Sequence, residues 1–335
     1  MSPAGLYPLR LAQIGLESTA GTAVAATAKL VGDITYTPEI EREFEEFPRG
    51  VRAPVTGGGF ALQHGSMFEY DGNLTFEEAV YIGLLGLQND AAPTGTGPYV
   101  WTMQPVLTGQ TTVKTATVEF VVDDGSTKHH EREAAYCFMT EFEISADASE
   151  ATKCKWTLEG RADSTSTVTG SLAPLTGRTV VPANLWTIYI DAAGGTLGNT
   201  QKTQTLRGFN LKVNTGLTRD FTLDARTTLD HTGINSGTIT GDFELTMEHN
   251  ANAATEIAAW RSGGVRLVRL KADNGVASTG NKVVQIDLAM KYTDPPEFSQ
   301  EDGIEIVTMK GTLEYDSTET LVCDLIITNG LSAQP

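Results

Sequence analysis

The residues best suited to binding a metal ion are three neighbours, His129, His130 and Glu131. Imidazole and carboxylate groups ligate zinc, but a site needs three or four ligands brought to one point. These three follow a β-prone segment, residues 117–122, and belong to a polar run typical of a hairpin loop. Because no further ligand can be placed beside them, we predict a solvated loop and no metal.

Carboxylates could also perform acid–base catalysis, which requires two of them at a suitable separation. Five lie close together in one segment, at Glu39, Glu41, Glu43, Glu45 and Glu46. Four of these, Glu39, Glu41, Glu43 and Glu45, alternate with the period of a strand, so one solvated strand face explains them better than a catalytic pair. The sequence motifs of a nucleophile elbow, a phosphate-binding loop and a dinucleotide-binding turn are all absent. We predict no enzyme and no cofactor.

The three cysteines, Cys137, Cys154 and Cys323, are far apart in the sequence. Their odd number and the absence of a CxxC spacing indicate neither a disulfide framework nor a metal site. A free cysteine usually behaves as a small apolar side chain. We therefore predict buried thiols.

The chain carries 42 acidic and 24 basic residues, a net charge of −18, and its pI is about 4.6. Such a protein repels nucleic acid backbones, which excludes DNA binding through released counterions. Two interpretations remain. The acidic groups form an ordinary solvated surface, or they line a passage that must not adhere to a polyanion.

A strand, a short helix and a second strand are predicted within residues 241–270. In the first strand, polar residues alternate with Phe243, Leu245 and Met247. Asn250 or Asn252 can cap the helix, and residues 263–264, both glycine, can end it in a left-handed conformation. We expect one helix face to contain Ala254, Ile257 and Ala258.

The same order of elements is predicted earlier in the chain. A β-prone segment, residues 66–70, precedes Thr75, and Glu78 follows Thr75 at the spacing of a capping box. We expect a helix from residue 76 to about residue 85. One stripe of this helix contains Phe76, Val80 and Leu84.

The two regions keep one spacing along the chain. Phe68 matches Phe243, with 243 − 68 = 175, and Ile82 matches Ile257, with 257 − 82 = 175. Loops absorb insertions at small entropic cost, so a copied fold can keep its elements while its loops differ in length. We infer a tandem duplication of one fold.

Other segments resemble each other at nearby offsets. Residues 34–44 match residues 211–221 without a gap, with 219 − 42 = 177. Residues 157–159 match residues 312–314, with 312 − 157 = 155. Changes in loop length account for the differences, and residues 294–303 are interpreted as one such loop of the second copy.

The predicted fold class is mainly β, with two tandem β-sandwich or barrel domains of similar fold, each with one short flanking α-helix and long loops. The domains are assigned to residues 1–175 and 183–335. Residues 164–182, rich in Thr, Ser, Gly and Pro, are interpreted as the linker. We expect six residues to pack the cores and the helices against them: Phe68, Phe76, Val80, Phe243, Leu245 and Ile257.

The first 26 residues contain one Arg and an apolar run broken by Gln13, Gly15 and Glu17, so they lack the core of a secretory signal. No apolar segment is long enough to span a membrane. We expect a soluble protein that is made in a cytoplasm and has no membrane partner.

Three features together carry a resemblance to a known family. Residues 15–23 read Gly-Leu-Glu-Ser-Thr-Ala-Gly-Thr-Ala, residues 48–59 form a long loop rich in Gly and Pro, and a strand then leads into a short helix. This order of elements is similar to that of the major tail tube proteins of long-tailed bacteriophages. The duplicated fold resembles a two-copy version of the tube fold.

The resemblance implies a structural virion protein of the phage tail. Rings stack into a tube through which DNA passes without specific binding, and a duplicated chain forms a homo-oligomeric ring of three with pseudo-sixfold symmetry. It also implies a tape measure protein and tail-end proteins as partners. We expect contact between rings from a loop containing Pro48, Arg49, Gly50, Arg52, Pro54, Gly57, Gly58 and Gly59.

A β-sandwich adhesin or carbohydrate-binding surface protein is the alternative. In that case exposed aromatic rings stack on sugars. The candidates for this role are Tyr99, Trp101 and Trp186.

Overall fold

The computed structural model describes residues 7–44, 59–87, 91–223 and 228–335. The fold is mainly β and antiparallel, as the alternating sequence pattern predicts. Strands of the first half are β1 (Leu11–Leu16), β2 (Ala28–Lys29), β3 (Asp33–Phe44), β4 (Gly59–Asn73), β5 (Tyr99–Met103), β6 (Ala116–Asp123), β7 (Lys128–Asp147), β8 (Lys153–Gly160) and β9 (Ser164–Thr165).

The second half contains a longer series of shorter strands. They are β10 (Trp186–Ala192), β11 (Gln201–Lys202), β12 (Leu206–Asn214), β13 (Leu217–Asp220), β14 (Gly233–Ser236), β15 (Thr240–Glu248), β16 (Val265–Asp273), β17 (Val283–Tyr292), β18 (Glu297–Glu301), β19 (Ile304–Leu313) and β20 (Cys323–Asn329). Within the described residues, every strand except β13 and β14 joins one branched sheet, and those two form a separate hairpin.

One layer of this sheet, here called the polar-faced sheet, runs through both halves. Its eight strands lie in the order β3, β4, β8, β7, β12, β15, β19 and β18, each antiparallel to its neighbour. The middle junction, between β7 and β12, joins the two halves. Hydrogen bonding therefore continues across the point where the sequence predicts two separate domains.

Two further layers lie behind the polar-faced sheet. In the first half, β6 pairs with β1 and with the beginning of β7, while β2 and β9 flank this group. In the second half, β16 pairs with β10 and β17, and β20 pairs with β17. Strand β5, from the first half, pairs with β20 of the second half. The two halves thus exchange contacts in both layers.

The hydrophobic core is continuous between the halves. One cluster of buried side chains extends from Ala12 to Ile327 and contains residues of every layer. Phe68, Phe76, Val80, Phe243 and Leu245 are buried in it, and Ile257 is partly buried against it. The cysteines Cys137, Cys154 and Cys323 are buried free thiols.

The first helical segment is shorter as an α-helix and more deeply buried than the sequence indicates. Helix α1 (Ala79–Ile82) passes directly into a π-helical turn, Gly83–Leu87, and every residue of both is buried. Glu78 N–H donates to Thr75 Oγ1 at 3.0 Å, and the Thr75 hydroxyl donates to Glu78 Oε2 at 2.8 Å. The segment is apolar all round, which is typical of a buried helix rather than a flanking one.

The second helix has the predicted ends and a different buried face. Helix α2 (Ala251–Ser262) is capped by the Asn250 side chain and ends at Gly263 in the left-handed conformation. Its fully buried residues are Ala253 and Glu256, whereas Ala254 and Ala258 are exposed. The predicted face is wrong because Glu256, which apolar periodicity treats as a surface residue, is held inside by charged partners.

Glu256 is buried beneath α2 in a cluster of three polar side chains. Arg266 binds its two carboxylate oxygens at 2.8 and 2.7 Å, and Lys202 Nζ lies 3.2 Å from Oε1. The Tyr292 hydroxyl lies 3.4 Å from Glu256 Oε2. Burial raises the pKa of Tyr292 well above its usual value, and the charge of the Glu256 carboxylate adds to the effect. The cluster satisfies a charge that would otherwise be costly to bury.

Residues 164–182 pack against the body of the protein. Val168 and Val181 are buried, and Val181 N–H donates to Leu74 O at 2.9 Å. Lys282, from the second half, donates to Gly177 O and to Thr179 Oγ1 of this segment, both at 2.6 Å. The predicted linker is therefore a fixed part of the fold.

No helix within the described ranges is long and apolar enough to cross a membrane.

Asp324 provides a pH-dependent test of the packing between β17, β20 and β5. It lies directly opposite Asp287 and accepts a hydrogen bond from Gln104 at 2.5 Å. Burial raises the pKa of Asp324 to about 6. The Gln104 hydrogen bond opposes this shift, and the neighbouring Asp287 carboxylate reinforces it. The pKa of an unfolded Asp is about 3.9, so folding takes up a proton between those values and stability falls as the pH rises through this window.

We expect Asp324→Asn to raise the melting temperature at pH 7.5 and to change it little at pH 4, because the amide is neutral at both. Thermal unfolding of both proteins at the two pH values measures the difference. An equal effect of the substitution at both pH values would show that ionisation of Asp324 does not oppose folding.

Candidate assembly surface

The polar-faced sheet exposes one side that is rich in carboxylates. Because directly opposed residues of neighbouring strands point to the same face, the register places one set of side chains together. In one row across six strands, Asp33, Asp71, Lys155, Glu143, Lys212 and Asp242 are successive partners. The acids that the register places on this face include Asp33, Glu39, Glu41, Glu69, Asp71, Glu141, Glu143, Asp147, Glu159, Asp242, Glu244, Glu248, Glu297 and Glu301.

Four lysines stand among these acids, at Lys153, Lys155, Lys212 and Lys310. Lys155 lies 3.5 Å from Asp71, Lys212 lies 3.1 Å from Glu141, and Lys310 lies 3.0 Å from Glu297. The hydrogen bond from Lys212 to Glu141 raises the pKa of that lysine, and the bond to Glu297 does the same for Lys310. The lysines are thus neutralised locally, and the face remains acidic.

The polar face is not flat. Two depressions open on it, one of about 310 Å³ lined by residues such as Glu69, Asp71 and Glu143, and one of about 430 Å³ lined by Lys212, Asp242 and others.

The two lateral edges of the polar-faced sheet are β3 and β18. Among the described residues, β3 pairs only with β4, and β18 pairs only with β19. All five residues of β18 are exposed, including Phe298 with 62 % of its surface accessible. An exposed edge strand with an exposed aromatic ring is a site at which another strand can add.

The sequence analysis missed this edge. The sequence analysis interprets residues 294–303 as a loop, but residues 297–301 form β18. The prolines interrupt the path from β17 because they lack an N–H donor, and β18 begins immediately after them. The alternation of Glu297, Ser299 and Glu301 around one apolar residue was the signal available.

The junction between β7 and β12 shows how two strands from different halves of the chain pair within this sheet. Residues Glu141 to Asp147 pair with Asn214 to Gly208 without interruption. Ile144 and Leu211 are directly opposed there, and both are fully buried. The core side of the junction is therefore apolar and its other side is polar.

A hairpin of the second half reinforces this junction. It consists of β13, β14 and the residues between them, and its Arg219 donates to Ser66 O at 2.9 Å. Arg219 also forms ion pairs with Glu39 at 2.6 Å and Glu159 at 3.1 Å. These partners all belong to the first half, so the hairpin reaches across the junction.

Further along the hairpin, backbone groups continue the contact. His64 N–H donates to Leu229 O at 3.1 Å, and Ala162 N–H donates to Asp230 Oδ1 at 2.8 Å. The Arg161 side chain donates from Nε to the carbonyl of His231 at 3.1 Å. The hairpin thus covers one end of β4 and one end of β8.

A depression of about 510 Å³ lies where residues 106–111 of the first half meet residues 236–240 and 313–315 of the second. Its walls include Val106, Ile239, Leu313, Glu314 and Tyr315. Tyr315 is 53 % exposed and Val106 is 45 % exposed.

Most of the loop predicted to contact the next ring lies outside the described residues. This applies to Pro48, Arg49, Gly50, Arg52, Pro54, Gly57 and Gly58. Gly59 is the first residue of β4 and pairs with Phe44. Glu45 and Glu46 also lie outside the described residues. The half-buried Glu39 and the exposed Glu41 and Glu43 belong to β3.

The histidine cluster is placed differently from the prediction. His129, His130 and Glu131 lie near the beginning of strand β7 rather than in a loop. His129 Nε2 is hydrogen-bonded to Asp124 Oδ2 at 2.8 Å. In the part of the chain that the structure describes, no group of three or more His, Cys, Asp or Glu side chains is arranged to hold a metal ion.

The aromatic rings that could stack on sugars are used inside the fold. Trp101 is fully buried and donates from Nε1 to Asn329 Oδ1 at 3.2 Å. Trp186 is buried and donates from Nε1 to Thr152 Oγ1 at 2.8 Å, and Tyr99 is half-buried. They do not form an exposed sugar-binding platform.

Glu17, in the segment that carries the family resemblance, has a structural role. Its buried carboxylate accepts hydrogen bonds from the N–H groups of Gly21 at 2.6 Å and Tyr136 at 2.7 Å. The hydroxyls of Thr115 and Thr117 donate to it at 2.6 and 3.0 Å. The carboxylate holds the loop after β1 against β6 and β7.

Comparison with models of known protein families finds no match, and comparison with curated proteins finds none either. The geometry of the polar-faced sheet and its two edges is therefore the basis for a functional assignment.

Proposed function

We propose that this chain is a structural virion protein of a long-tailed bacteriophage, three copies of which close into a ring whose stacking builds the tail tube. The observation that carries the proposal is the junction between β7 and β12, which joins strands equivalent to the two free edges of the same sheet. The tape measure and tail-end proteins are partners in this proposal by family resemblance.

The proposal requires the two halves to be copies of one module, and the strand pairings support this. In each half the first strand pairs with the second strand, β1 with β2 and β10 with β11, and with a strand beyond the helical segment, β1 with β6 and β10 with β16. The first half has one additional strand, β5, between its helical segment and β6. In each half a hairpin leads to the helix and its second strand pairs with a later one, β4 with β8 and β15 with β19. The single strand β7 corresponds to β17 and β18 together.

The register gives the correspondence residue by residue. Phe68 pairs with Tyr36 and Leu158, and Phe243 pairs with Leu211 and Gly311. If Phe68 corresponds to Phe243, the offsets are 211 − 36 = 175 for β3 and 311 − 158 = 153 for β8. Thr75 and Asn250, whose side chains each accept from a backbone N–H at the start of a helical segment, are also 250 − 75 = 175 apart.

The same register predicts how two copies meet. Lys155 pairs with Glu143, and its counterpart Thr308 pairs with Glu297, so Glu297 corresponds to Glu143 and Phe298 to Ile144. Within the chain Ile144 faces Leu211, whose counterpart is Tyr36. Strand β18 of one copy therefore pairs with β3 of the next, with Phe298 opposite Tyr36.

One step further along, Ser299 lies opposite Thr35 on the polar side. The predicted junction places Glu297, Glu301 and Asp33 on the same side as the other carboxylates. Apolar residues meet on the core side and polar residues on the other, as they do inside the chain.

Three chains contribute 3 × 8 = 24 strands to one closed cylinder. With strands about 4.8 Å apart and tilted by up to about 40°, the backbone diameter is about 35 to 50 Å, which is wide enough for a DNA duplex. The carboxylates line the lumen in this arrangement. Their repulsion of phosphate lets DNA slide through without binding.

Negative-stain microscopy of the concentrated protein tests the proposal. We expect rings with threefold symmetry, or tubes made of evenly stacked rings. Monodisperse globules at every salt concentration would contradict it, and retention on a glycan column would then favour the carbohydrate-binding alternative.

A further inference from the structure

Arg10 lies against the open edge of the polar-faced sheet. Its Nη1 donates to Ile34 O of β3 at 3.0 Å and lies 3.5 Å from Asp33 Oδ1. The guanidinium group also lies over the rings of Tyr7 and Phe120, 5.0 and 5.9 Å from their centroids. Within the described residues, Arg10 Nε is buried and has no hydrogen-bond acceptor. A buried donor of this kind indicates an acceptor that the described part of a single chain does not supply.

The Ile34 carbonyl is one of the groups that the proposed junction uses. Inside the chain its counterpart is Phe209, with 209 − 34 = 175, and Phe209 is paired with Ala146 of β7. In the same ladder Thr215 N–H donates to Thr140 O at 2.9 Å. Because 215 − 209 = 6 is an even number, the backbone groups of Phe209 point towards β7 as those of Thr215 do. The backbone groups of Ile34 therefore point to the open edge.

In the ring, a backbone group of the next copy reaches the Ile34 carbonyl. The two junctions are related by 297 − 143 = 154 residues along the joining strand, which converts Ala146 into Gln300. Gln300 of the next copy lies opposite Ile34 and donates its N–H to the carbonyl that Arg10 binds in the single chain. Strand β18 then occupies the space at the edge in which the guanidinium group lies. Arg10 must therefore move to another acceptor.

A carboxylate of the next copy lies beside this position. One residue further along, 147 + 154 = 301 and 208 − 175 = 33, so Glu301 of the next copy lies opposite Asp33 on the polar side. Inside the chain the equivalent pair is Asp147 and Gly208, in which only one residue is charged. Directly opposed carboxylates repel each other. The junction between copies thus contains an unfavourable pair that the junction within the chain lacks.

We propose that Arg10 joins neighbouring copies by binding Glu301 of the next copy and bridging it to Asp33. This inference rests on the proposed function, because ring closure brings these residues together. The guanidinium group exchanges a neutral carbonyl for a second carboxylate, and its fork of N–H donors can bind both acids. The bridge offsets the repulsion between the opposed carboxylates and supplies an acceptor for Nε.

A double-mutant cycle on Arg10 and Glu301 tests the inference. Sedimentation velocity at low salt measures the protein concentration at which half of the chains are in rings, for Arg10→Gln, Glu301→Gln and the double variant. Arg10→Gln is expected to raise this concentration roughly tenfold, because every junction loses an ion pair and keeps two opposed carboxylates. In the Glu301→Gln background the same substitution is expected to change it less than about twofold, because the charged acceptor is already gone.

Cross-linking of Arg10→Lys gives a second measurement, in a variant that keeps the positive charge. A carbodiimide couples the introduced amine to a carboxylate in direct contact, with loss of water. We expect covalent dimers on a denaturing gel and a cross-linked peptide that joins positions 10 and 301, and neither when Glu301→Gln is added. A link from position 10 to Asp33 alone would overturn the inference.

Lys271→Gln is the matched control for the double-mutant cycle. Lys271 forms an ion pair with Asp273 at 3.0 Å on β16, which lies in another layer, away from both edges of the polar-faced sheet. We expect this variant to form rings as the wild-type protein does. Melting temperatures report whether each variant is folded.

The remaining outcomes separate the inference from the proposed function. An equal effect of Arg10→Gln in both backgrounds would overturn the inference, because Arg10 would then act only within its own chain. Stronger assembly of Arg10→Gln would also overturn it, because Arg10 would then merely shield the edge. Either result leaves the ring standing. If the wild-type protein forms no rings at any concentration, the proposed function itself fails.

Discussion

Replacing Glu256 with glutamine is expected to lower the free energy of unfolding by about 3 to 5 kcal/mol. The substitution keeps the shape of the side chain and removes its charge. Arg266 and Lys202 are both buried, so each would lose its counter-charge inside the protein. Such uncompensated buried charges cost more than the original pair contributed, and this explains the size of the effect.

Urea unfolding followed by tryptophan fluorescence measures this loss, with Trp260 of α2 as a nearby reporter. Glu248→Gln is the matched control. Glu248 forms an ion pair with Arg207 at 2.7 Å, but both side chains are about one third exposed. We expect that exposed pair to contribute less than about 1 kcal/mol. A similar loss for both variants would mean that burial does not determine the role of Glu256.

Replacing Phe298 with aspartate is expected to abolish ring formation while the chain remains folded. Phe298 is largely exposed in the single chain, so the substitution removes little packing there. In the proposed junction it faces Tyr36 on the core side, where an unpaired charge is strongly unfavourable. The loss of assembly is expected to be complete, because every junction of a ring contains the same substitution.

Size-exclusion chromatography with light scattering and circular dichroism together distinguish assembly from folding. Phe298→Leu is expected to assemble because it keeps an apolar side chain. Val276→Asp places the same charge on an exposed loop away from both edges and is expected to assemble normally. If Phe298→Asp forms rings as efficiently as the wild-type protein, β18 is not the joining edge.

The sequence predicted the local elements wherever periodicity and capping were independent signals. The alternation around Phe243 and the Asn250 cap with its glycine stop correspond to β15 and α2. The predicted face of α2 was wrong, because a buried Glu256 with two cationic partners has no signature in an apolar pattern. One partner, Lys202 of β11, lies 256 − 202 = 54 residues earlier in the chain, and the other, Arg266 of β16, lies ten residues after Glu256 in the strand that follows α2.

The comparison of the two halves could be made from the sequence only approximately. Similarity gave offsets of 177 for β3 and 155 for β8, whereas the pairings give 175 and 153 when Phe68 is matched with Phe243. A shift of two residues keeps every side chain on its original face of a strand. Apolar patterns therefore cannot detect it, and hydrogen-bonded partners can.

The candidate surface was the least predictable part. An edge strand is defined by which neighbour it lacks, and no property of Phe298 or Glu297 alone reveals that. The continuous core also escaped prediction, since β5 of the first half lies against β20 of the second. Contacts of that kind join residues more than 200 positions apart, such as Trp101 and Asn329.

The most direct measurement of the central claim is disulfide formation in the double variant Thr35→Cys, Ser299→Cys. Opposed residues of antiparallel strands have Cα atoms about 4.5 to 5.5 Å apart, which is within the range that a disulfide spans. We predict that mild oxidation of the assembled protein gives covalent dimers and trimers on a denaturing gel, with a circular trimer as the largest product. Monomers alone, or a ladder that continues beyond three chains, would contradict the account.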